Sequence, residues 1–294
     1  MWDGLPVISI LQVIPNTFLG LSAGQSNTTG NSNTFVGDST GYSNTTGNVN
    51  TFLGRQAGYF NKTGGYNTFL GGIAGWNNLW GTYNTFIGFD AGVSVTYNFL
   101  ENSMALGSGA RVTASNTVSI GNTSIASIKG QVSFSTYSDE RFKRSIRENV
   151  PGLDFVLNLR PVSYQMDAKG IASFLGEDEV QSVKDGENEE VTARSRKSRD
   201  EARTAKSKIR YTGFLAQEVA KVADKMGYDF SGIDRPQNER SLYGLRYAEF
   251  VVPLVKAVQE QQQVIEEQEE QLQEQEERIE KLESLVQQLL DSKK

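Results

Sequence analysis

The chain has 294 residues, no cysteine, no histidine and a formal charge of −6. That composition excludes a disulfide framework, a thiol nucleophile, a Cys-ligated zinc, a His-dependent triad and an imidazole metal ligand, so any catalysis must run on hydroxyls, amines and carboxylates. The acidic balance does not suit a general nucleic-acid binder, and at about 150 residues per domain there is room for about two domains.

Charge and glycine are unevenly spread. Residues 1–137 hold four acids (Asp3, Asp38, Asp90, Glu101), four bases (Arg55, Lys62, Arg111, Lys129) and 21 of the 29 glycines, and the whole net charge lies after them. Two physically different segments therefore meet near residue 137. Ahead of both, Leu5 to Ile14 is mostly apolar but interrupted by Ser9 and Gln12. It is too short to span a bilayer, with no Lys or Arg before it and no Ala-x-Ala site after it. Residues 1–15 read as a first strand or attachment stub, with no signal peptide and no membrane insertion.

An internal repeat follows. Asn-Thr-Phe-aliphatic-Gly begins at Asn16, Asn33, Asn50, Asn67 and Asn84, each step being 17 residues, which puts Phe18, Phe35, Phe52, Phe69 and Phe86 in register. Ala or Thr before Gly recurs at Gly24, Gly41, Gly58, Gly75 and Gly92, and Asn27, Asn44, Asn61 and Asn78 each precede a Gly by three places. Constant spacing implies identical coils stacked along an axis, the Thr-Phe-aliphatic runs as short strands and the Gly and Asn residues as φ > 0 turns. Stacking lays each Phe over the next in a ladder that one coil could not bury alone. The period then shortens, Asn102-Ser-Met-Ala-Leu-Gly107 returning as Asn116-Thr-Val-Ser-Ile-Gly121 after 14 residues.

On these residues, about 16–125 resembles the 14-residue head repeat of trimeric autotransporter adhesins and its 17-residue relative in phage and bacterial tail-fibre proteins. The resemblance implies a trimeric parallel β-roll or β-solenoid, the shaft or head of a fibre. The chain's end in Asp291-Ser-Lys-Lys, without barrel strands, argues against an autotransporter. Asn27-Thr-Thr, Asn44-Thr-Thr and Asn61-Lys-Thr fit the glycosylation sequon, but their fixed repeat position makes them structural turns. Trp76, Trp80, Tyr83 and Tyr97 form either a sugar-stacking patch or packing where the repeat degenerates.

After a linker over 126–137 comes Tyr137-Ser138-Asp139-Glu140-Arg141-Phe142-Lys143-Arg144-Ser145-Ile146. Taken locally, Ser138 caps a helix, Asp139 and Glu140 favour its first turn, and Asp139 pairs with Lys143 at i,i+4. Further on stand Leu159-Arg160-Pro161-Val162-Ser163-Tyr164, Gly213-Phe214-Leu215-Ala216-Gln217-Glu218-Val219, Tyr247 and Pro253-Leu254-Val255-Lys256-Ala257-Val258. In that order they resemble the intramolecular chaperone domain found at the C-termini of endosialidase tailspikes and other phage tail fibres, and in myelin regulatory factor. The resemblance covers 138–294. It implies an α+β chaperone over 138–250 and self-cleavage at Tyr137–Ser138 by a serine–lysine dyad, Ser138 the nucleophile and Lys143 the general base, with Asp139 and Arg141 as supporting motif residues.

A hydroxyl needs a neighbouring base, and lysine serves as one only when desolvation or a nearby cation disfavours its charged form. Five residues along an ideal helix point two side chains about 140° apart. Ser138 therefore lies before the helix, or the dyad completes only on assembly. The stretch 177–210, acidic at Glu187, Glu189 and Glu190 and then basic at Arg194, Arg196, Lys197, Arg199 and Arg203, reads as a solvated, flexible loop, with a chaperone arm gripping the fibre as the alternative.

From Val251 the pattern is heptad. Position a carries Val251, Val258, Ile265, Leu272, Ile279 and Val286; position d carries Leu254, Gln261, Gln268, Gln275, Leu282 and Leu289. This predicts a coiled coil over 251–294, trimeric to match the head repeat, its Gln layers either tuning oligomer state or weakening a clamp that later parts.

The expected protein is a homotrimeric fibre, a tail fibre for host attachment, whose C-terminal chaperone directs trimer assembly and leaves by autoproteolysis. The alternative is a non-cleaving trimeric adhesin with a permanent C-terminal foot. The four scattered acids of the first half give no basis for a glycosidase. Expected partners are two further copies, a phage tail or contractile particle, and a host surface receptor, a glycan among the candidates, with no cofactor, metal or nucleic acid. The expected location is a virion tail or extracellular injection particle, made in the bacterial cytoplasm.

Overall fold

The computed structural model describes residues 15–94, 99–178 and 189–291. The N-terminal stub Leu5–Ile14, Tyr97 and Glu187 lie outside them. Strands β1 (Thr17–Leu19), β2 (Thr34–Val36), β3 (Thr51–Leu53), β4 (Thr68–Leu70), β5 (Thr85–Ile87), β7 (Met104–Leu106) and β9 (Val118–Ile120) form one parallel sheet in that order. A second parallel pair joins β6 (Gly92–Val93) to β8 (Arg111–Val112). This is a β-solenoid of 17-residue coils that contract at its end.

Register follows the repeat: Phe18 pairs with Phe35, Phe35 with Phe52, Phe52 with Phe69 and Phe69 with Phe86. Side chains alternate across a strand, so Phe points inward while Thr and the aliphatic residue point outward. Ring centroids are 4.9, 4.8, 4.6 and 4.9 Å apart and the rings nearly parallel. Hydrogen-bonded strands lie about 4.8 Å apart, so the backbone ladder itself sets the stacking distance. Ala105 and then Ser119 take the Phe position in the short coils, where there is less interior to fill.

Both Asn columns are structural ladders. The Asn50 N–H donates to Asn33 Oδ1 at 2.9 Å and its Nδ2 to the Gly64 carbonyl at 2.9 Å. In the other column Asn61 Nδ2 donates to Asn44 Oδ1 at 3.1 Å, and Asn78 Nδ2 to Asn61 Oδ1 at 3.0 Å. Asn44, Asn61 and Asn78 are fully buried. One expectation holds only in the short coils, where Asn102 (φ +51°) and Asn116 (φ +60°) are left-handed, while the asparagines of these two columns are not. Besides glycines such as Gly58 (φ +61°), where a Cβ would lie 2.4 Å from the Phe52 ring, that region holds Ser39, Gln56, Ile73 and Asp90, and Ser32, Val49, Tyr66 and Tyr83. The asparagines spend their side chains on the ladder instead, and the coil geometry imposes αL even on β-branched Ile73 and Val49.

Beyond the solenoid come a single 3-10 turn at Glu140–Phe142, α1 (Leu153–Leu157), β10 (Val162–Gln165), α2 (Ala168–Leu175), α3 (Glu189–Lys206), β11 (Arg210–Gly213) and α4 (Ala216–Lys225). The chain ends with β12 (Ile233–Asp234), β13 (Gly244–Leu245), a 3-10 turn at Tyr247–Phe250 and the 41-residue α5 (Val251–Asp291). Strands β10 and β11 pair, and β12 pairs antiparallel with β13.

Packing divides the chain into two compact units. One joins the described part of Met1–Gln131 to Gln165–Tyr211 and Gln237–Ser241; the other takes Val132–Tyr164, Thr212–Pro236 and Leu242–Lys294. The second has its own core of Phe155, Val219, Ala223, Phe230 and Phe250.

The charged stretch 177–210, expected as a loop, contains the 18-residue helix α3. Arg203 and Lys206 stand in its last turn, at the negative end of the helix dipole. Arg203 is buried.

Candidate functional site

Ser138 and Lys143 meet in the second unit. Lys143 Nζ donates to Ser138 Oγ at 2.8 Å. Neither residue is helical: the 3-10 turn lies between them, with extended backbone at Asp139 before it and Lys143 after it. Such a turn closes in three residues, so its flanks come back side by side. This is the first of the two geometries the sequence allowed, with Ser138 ahead of the helix.

Asp139, not Ser138, caps the turn, its Oδ1 accepting the Arg141 N–H at 3.0 Å. Nor does Asp139 pair with Lys143. It binds the Arg141 guanidinium through Nη2 at 2.6 Å and Nε at 3.1 Å. The helix that would have aligned Asp139 with Lys143 stops after one turn, which frees the Ser138 hydroxyl for the amine. The Arg141 side chain, then its backbone N–H, hold the Asp139 carboxyl below the ordinary carboxylate range, and Asp139 in turn raises Arg141. Asp139 is thus a fixed anion rather than a competing base. Arg144 Nη1 donates to the carbonyls of Arg141 at 2.7 Å and Lys143 at 3.0 Å, bracing the turn, and Ser145 (φ +51°) redirects the chain.

The whole segment is open. Residues 125–149 are exposed, with apolar Ile128, Val132, Phe134, Tyr137, Phe142 and Ile146 among them. A run of bare apolar side chains this long marks a surface that another element covers.

The other motif residues converge in the same unit. Arg160 forms an ion pair with Glu218, Nε lying 3.0 Å from the carboxylate. Tyr247 Oη accepts the Phe214 N–H at 3.2 Å, and Gly213 leaves room for that phenol, since a Cβ there would meet it at 2.1 Å. Helix α5 docks on α1, the Leu153 N–H donating to Glu260 at 2.6 Å. Along α5 the a-position residues Val258, Ile265, Leu272 and Ile279 are exposed.

Of the aromatic residues weighed as a sugar platform, Trp80 and Tyr83 are exposed, and Trp76 and Tyr83 stack within the repeat. Trp76 stacks on Tyr59 at 4.8 Å and Tyr59 on Tyr42 at 5.0 Å, while Tyr83 stacks on Tyr66 at 4.8 Å. These stacks cover one ring face of Trp76 and one of Tyr83. Sequence reading missed one cluster altogether, a buried Glu177–Arg203 ion pair around Thr123. No helix among the described residues is long and apolar enough to cross a membrane.

Fold and site define a β-solenoid joined to an α+β region that ends in a long helix with an exposed apolar stripe. Within it, residues 138–228 match the family described as chaperone of endosialidase. The match begins at Ser138 and spans the serine–lysine turn and the Arg160–Glu218 contact, and it supports an assembly-chaperone role for this part of the chain. No curated protein and no solved structure matches the chain.

Proposed function

We propose that the chain is one third of a homotrimeric fibre protein, whose C-terminal part gathers three copies, guides the repeat into register and then severs itself at Tyr137–Ser138. The observation that carries this reading is the 2.8 Å contact between Lys143 Nζ and Ser138 Oγ in a fully exposed segment inside the matched family region.

Trimerisation is supported by apolar surface left bare in one chain. On the solenoid sheet Leu19, Leu53, Leu70, Leu106 and Ile120 form an exposed column, because each follows an inward residue. A second bare stripe runs along α5 through Val258, Ile265, Leu272 and Ile279, at heptad spacing. Two further copies, bound as a coiled coil and packed sheet face to sheet face, cover both. Non-local strand pairing among three chains is slow and exposes edges that pair wrongly, and a C-terminal clamp makes it effectively intramolecular.

The cleavage chemistry follows from where Ser138 sits. Its hydroxyl belongs to the residue after the scissile bond, so its nearest electrophile is the Tyr137 carbonyl carbon. Lys143, as the free amine, takes the Oγ proton while Oγ bonds to that carbon. The C–N bond breaks, the Ser138 nitrogen takes the proton back from Lys143, and the Tyr137 acyl group rests on Oγ as an ester. Water then splits the ester into a Tyr137 carboxylate and a free Ser138 N-terminus with its hydroxyl restored. A lysine accepts a proton only in its neutral form, which burial favours. Assembly, by covering the exposed segment, is therefore what starts the reaction.

The fibre reading extends to a tail fibre of a phage or contractile injection particle, made in the bacterial cytoplasm and binding a host surface receptor. It rests on the order of a repeat shaft followed by a releasable chaperone. Intact mass after expression tests the function: wild type yields 1–137 and 138–294, and Ser138→Ala stays whole. A wild-type trimer that remains uncut overturns the protease and leaves a permanent trimerisation foot.

A further inference from the structure

Among the described residues the stack of coils ends at β9, and no further strand pairs its outer edge. Solenoids need such ends covered, since a bare edge recruits wrong strands. The loop that leaves this last coil, Thr123 to Ile125, is held by residues beyond 138. Glu177, just past the C-terminus of α2, takes the Thr123 N–H on both carboxylate oxygens at 3.1 Å, and the Thr123 hydroxyl donates to the same carboxylate. That hydroxyl also accepts from Arg203 Nε at 2.8 Å, and Arg203 Nη2 lies 2.8 Å from Glu177. The ring of contacts is closed, with the Glu177 and Arg203 side chains each 3% exposed. Around it Arg203 Nη1 pairs with Asp178, and Lys206 Nζ donates to the carbonyls of Thr123 at 3.3 Å and Ile125 at 3.0 Å. Asn238 Nδ2 donates to the Thr113 carbonyl at 2.7 Å. Every cap residue lies on the far side of Tyr137–Ser138 from the coil it holds.

We propose that α2 and α3 form an end cap locked to the last coil by a Glu177–Arg203–Thr123 latch, and that this latch keeps fragment 138–294 docked on fragment 1–137 after the linker is cut. Shedding of the chaperone is then a separate step, governed by the latch rather than by bond cleavage. The physical ground is that two opposite charges leave water together only when each remains paired. Arg203 positions the Glu177 carboxylate, and the Thr123 N–H and hydroxyl complete its shell. Removing either charged partner leaves the other buried and uncompensated. The proposal rests on the foregoing reading for its biological timing alone, because the latch exists whether or not the chain cuts itself.

The test severs the linker independently. A recognition sequence for a site-specific protease is placed within the exposed residues 129–135 of the Ser138→Ala chain, the chain is cut, and fragment dissociation is followed by size exclusion and surface-captured off-rate. With Glu177, Arg203 and Thr123 intact the fragments co-elute. Glu177→Ala and Arg203→Ala each speed dissociation by about a hundredfold or more, while Glu201→Ala, on the exposed part of α3, leaves the rate unchanged. Thr123→Val, which keeps the shape and loses the hydroxyl, speeds it with the circular dichroism of the uncut chain unaltered. Fragments that separate at once with the latch intact, or latch variants that dissociate at the parent rate, overturn the proposal. A wild-type chain that fails to cut itself bears on the protease alone, and fragments that part at once bear on the latch alone.

Discussion

Lys143 Nζ donates to Ser138 Oγ at 2.8 Å across a turn in which Asp139 and Arg141 are bound to each other. The pairing divides labour: one ion pair fixes the turn, and the remaining amine faces the hydroxyl. Lys143→Arg keeps the charge and most of the length but cannot give a neutral base. It is expected to abolish cleavage as completely as Ser138→Ala, whereas Arg141→Ala, which loosens the turn, slows it by about ten- to a hundredfold, the reach of positioning effects. Time courses of the intact and cut masses check this. Cleavage by Lys143→Arg at the wild-type rate would remove Lys143 from the chemistry.

Phe52 is fully buried between Phe35 and Phe69, while Phe18 has a ring neighbour on one side among the described residues. Phe52→Ala is expected to cost the solenoid about 3–5 kcal/mol, since the coils above and below are held at hydrogen-bond spacing and cannot collapse into the gap. Phe18→Ala should cost less than half as much. Urea unfolding of both variants in the Ser138→Ala background measures the difference, and equal losses would contradict a ladder.

Asn61 gives its amide to Asn44 Oδ1 and the Gly64 carbonyl and accepts from Asn78. Asn61→Asp removes the donor and sets a carboxylate against two oxygens inside the coil. Because a buried polar group without its partner costs about 1–3 kcal/mol and a charged one more, the variant should lose at least that much stability at neutral pH. Acid should restore part of it by protonating the new carboxyl. A loss independent of pH would mean that the column is solvated.

Asp90 pairs with Arg111 at 2.7 Å with both side chains nearly buried. Burial raises its carboxyl above 3.8, against the opposing charge and hydrogen bond of Arg111 and the charge of Arg199. The folded chain thus holds this proton more tightly than the unfolded one. Its stabilising contribution is full below 3.8 and is lost as pH rises through the higher folded value. Relative to Asp90→Asn, the wild type should lose unfolding free energy as pH climbs through that window. A relative gain would show that Arg111 outweighs burial.

The solenoid was legible because its information is periodic: one Phe every 17 residues dictates register, interior and stacking together. The serine–lysine pair was legible only through its motif, and its geometry depended on where a helix would stop, which Asp139 decided by capping with its own side chain. What stayed hidden was long-range. Nothing local joins Thr123 to Glu177 and Arg203, and composition counted Arg203 as one more exposed charge in a run of bases. Similarly, Asn looked like a turn residue at its repeat position, because intrinsic φ preference is readable in sequence and a ladder of side-chain amides across coils is not.

The central claim is that assembly precedes and triggers the cut. It is tested most directly by native mass spectrometry of wild type and Ser138→Ala beside an Ile265→Asp, Leu272→Asp double variant that breaks the apolar stripe of α5. The account predicts an uncut trimer for Ser138→Ala, trimeric cut fragments for wild type, and uncut monomer for the stripe variant. Complete cleavage of a monomeric stripe variant would contradict it.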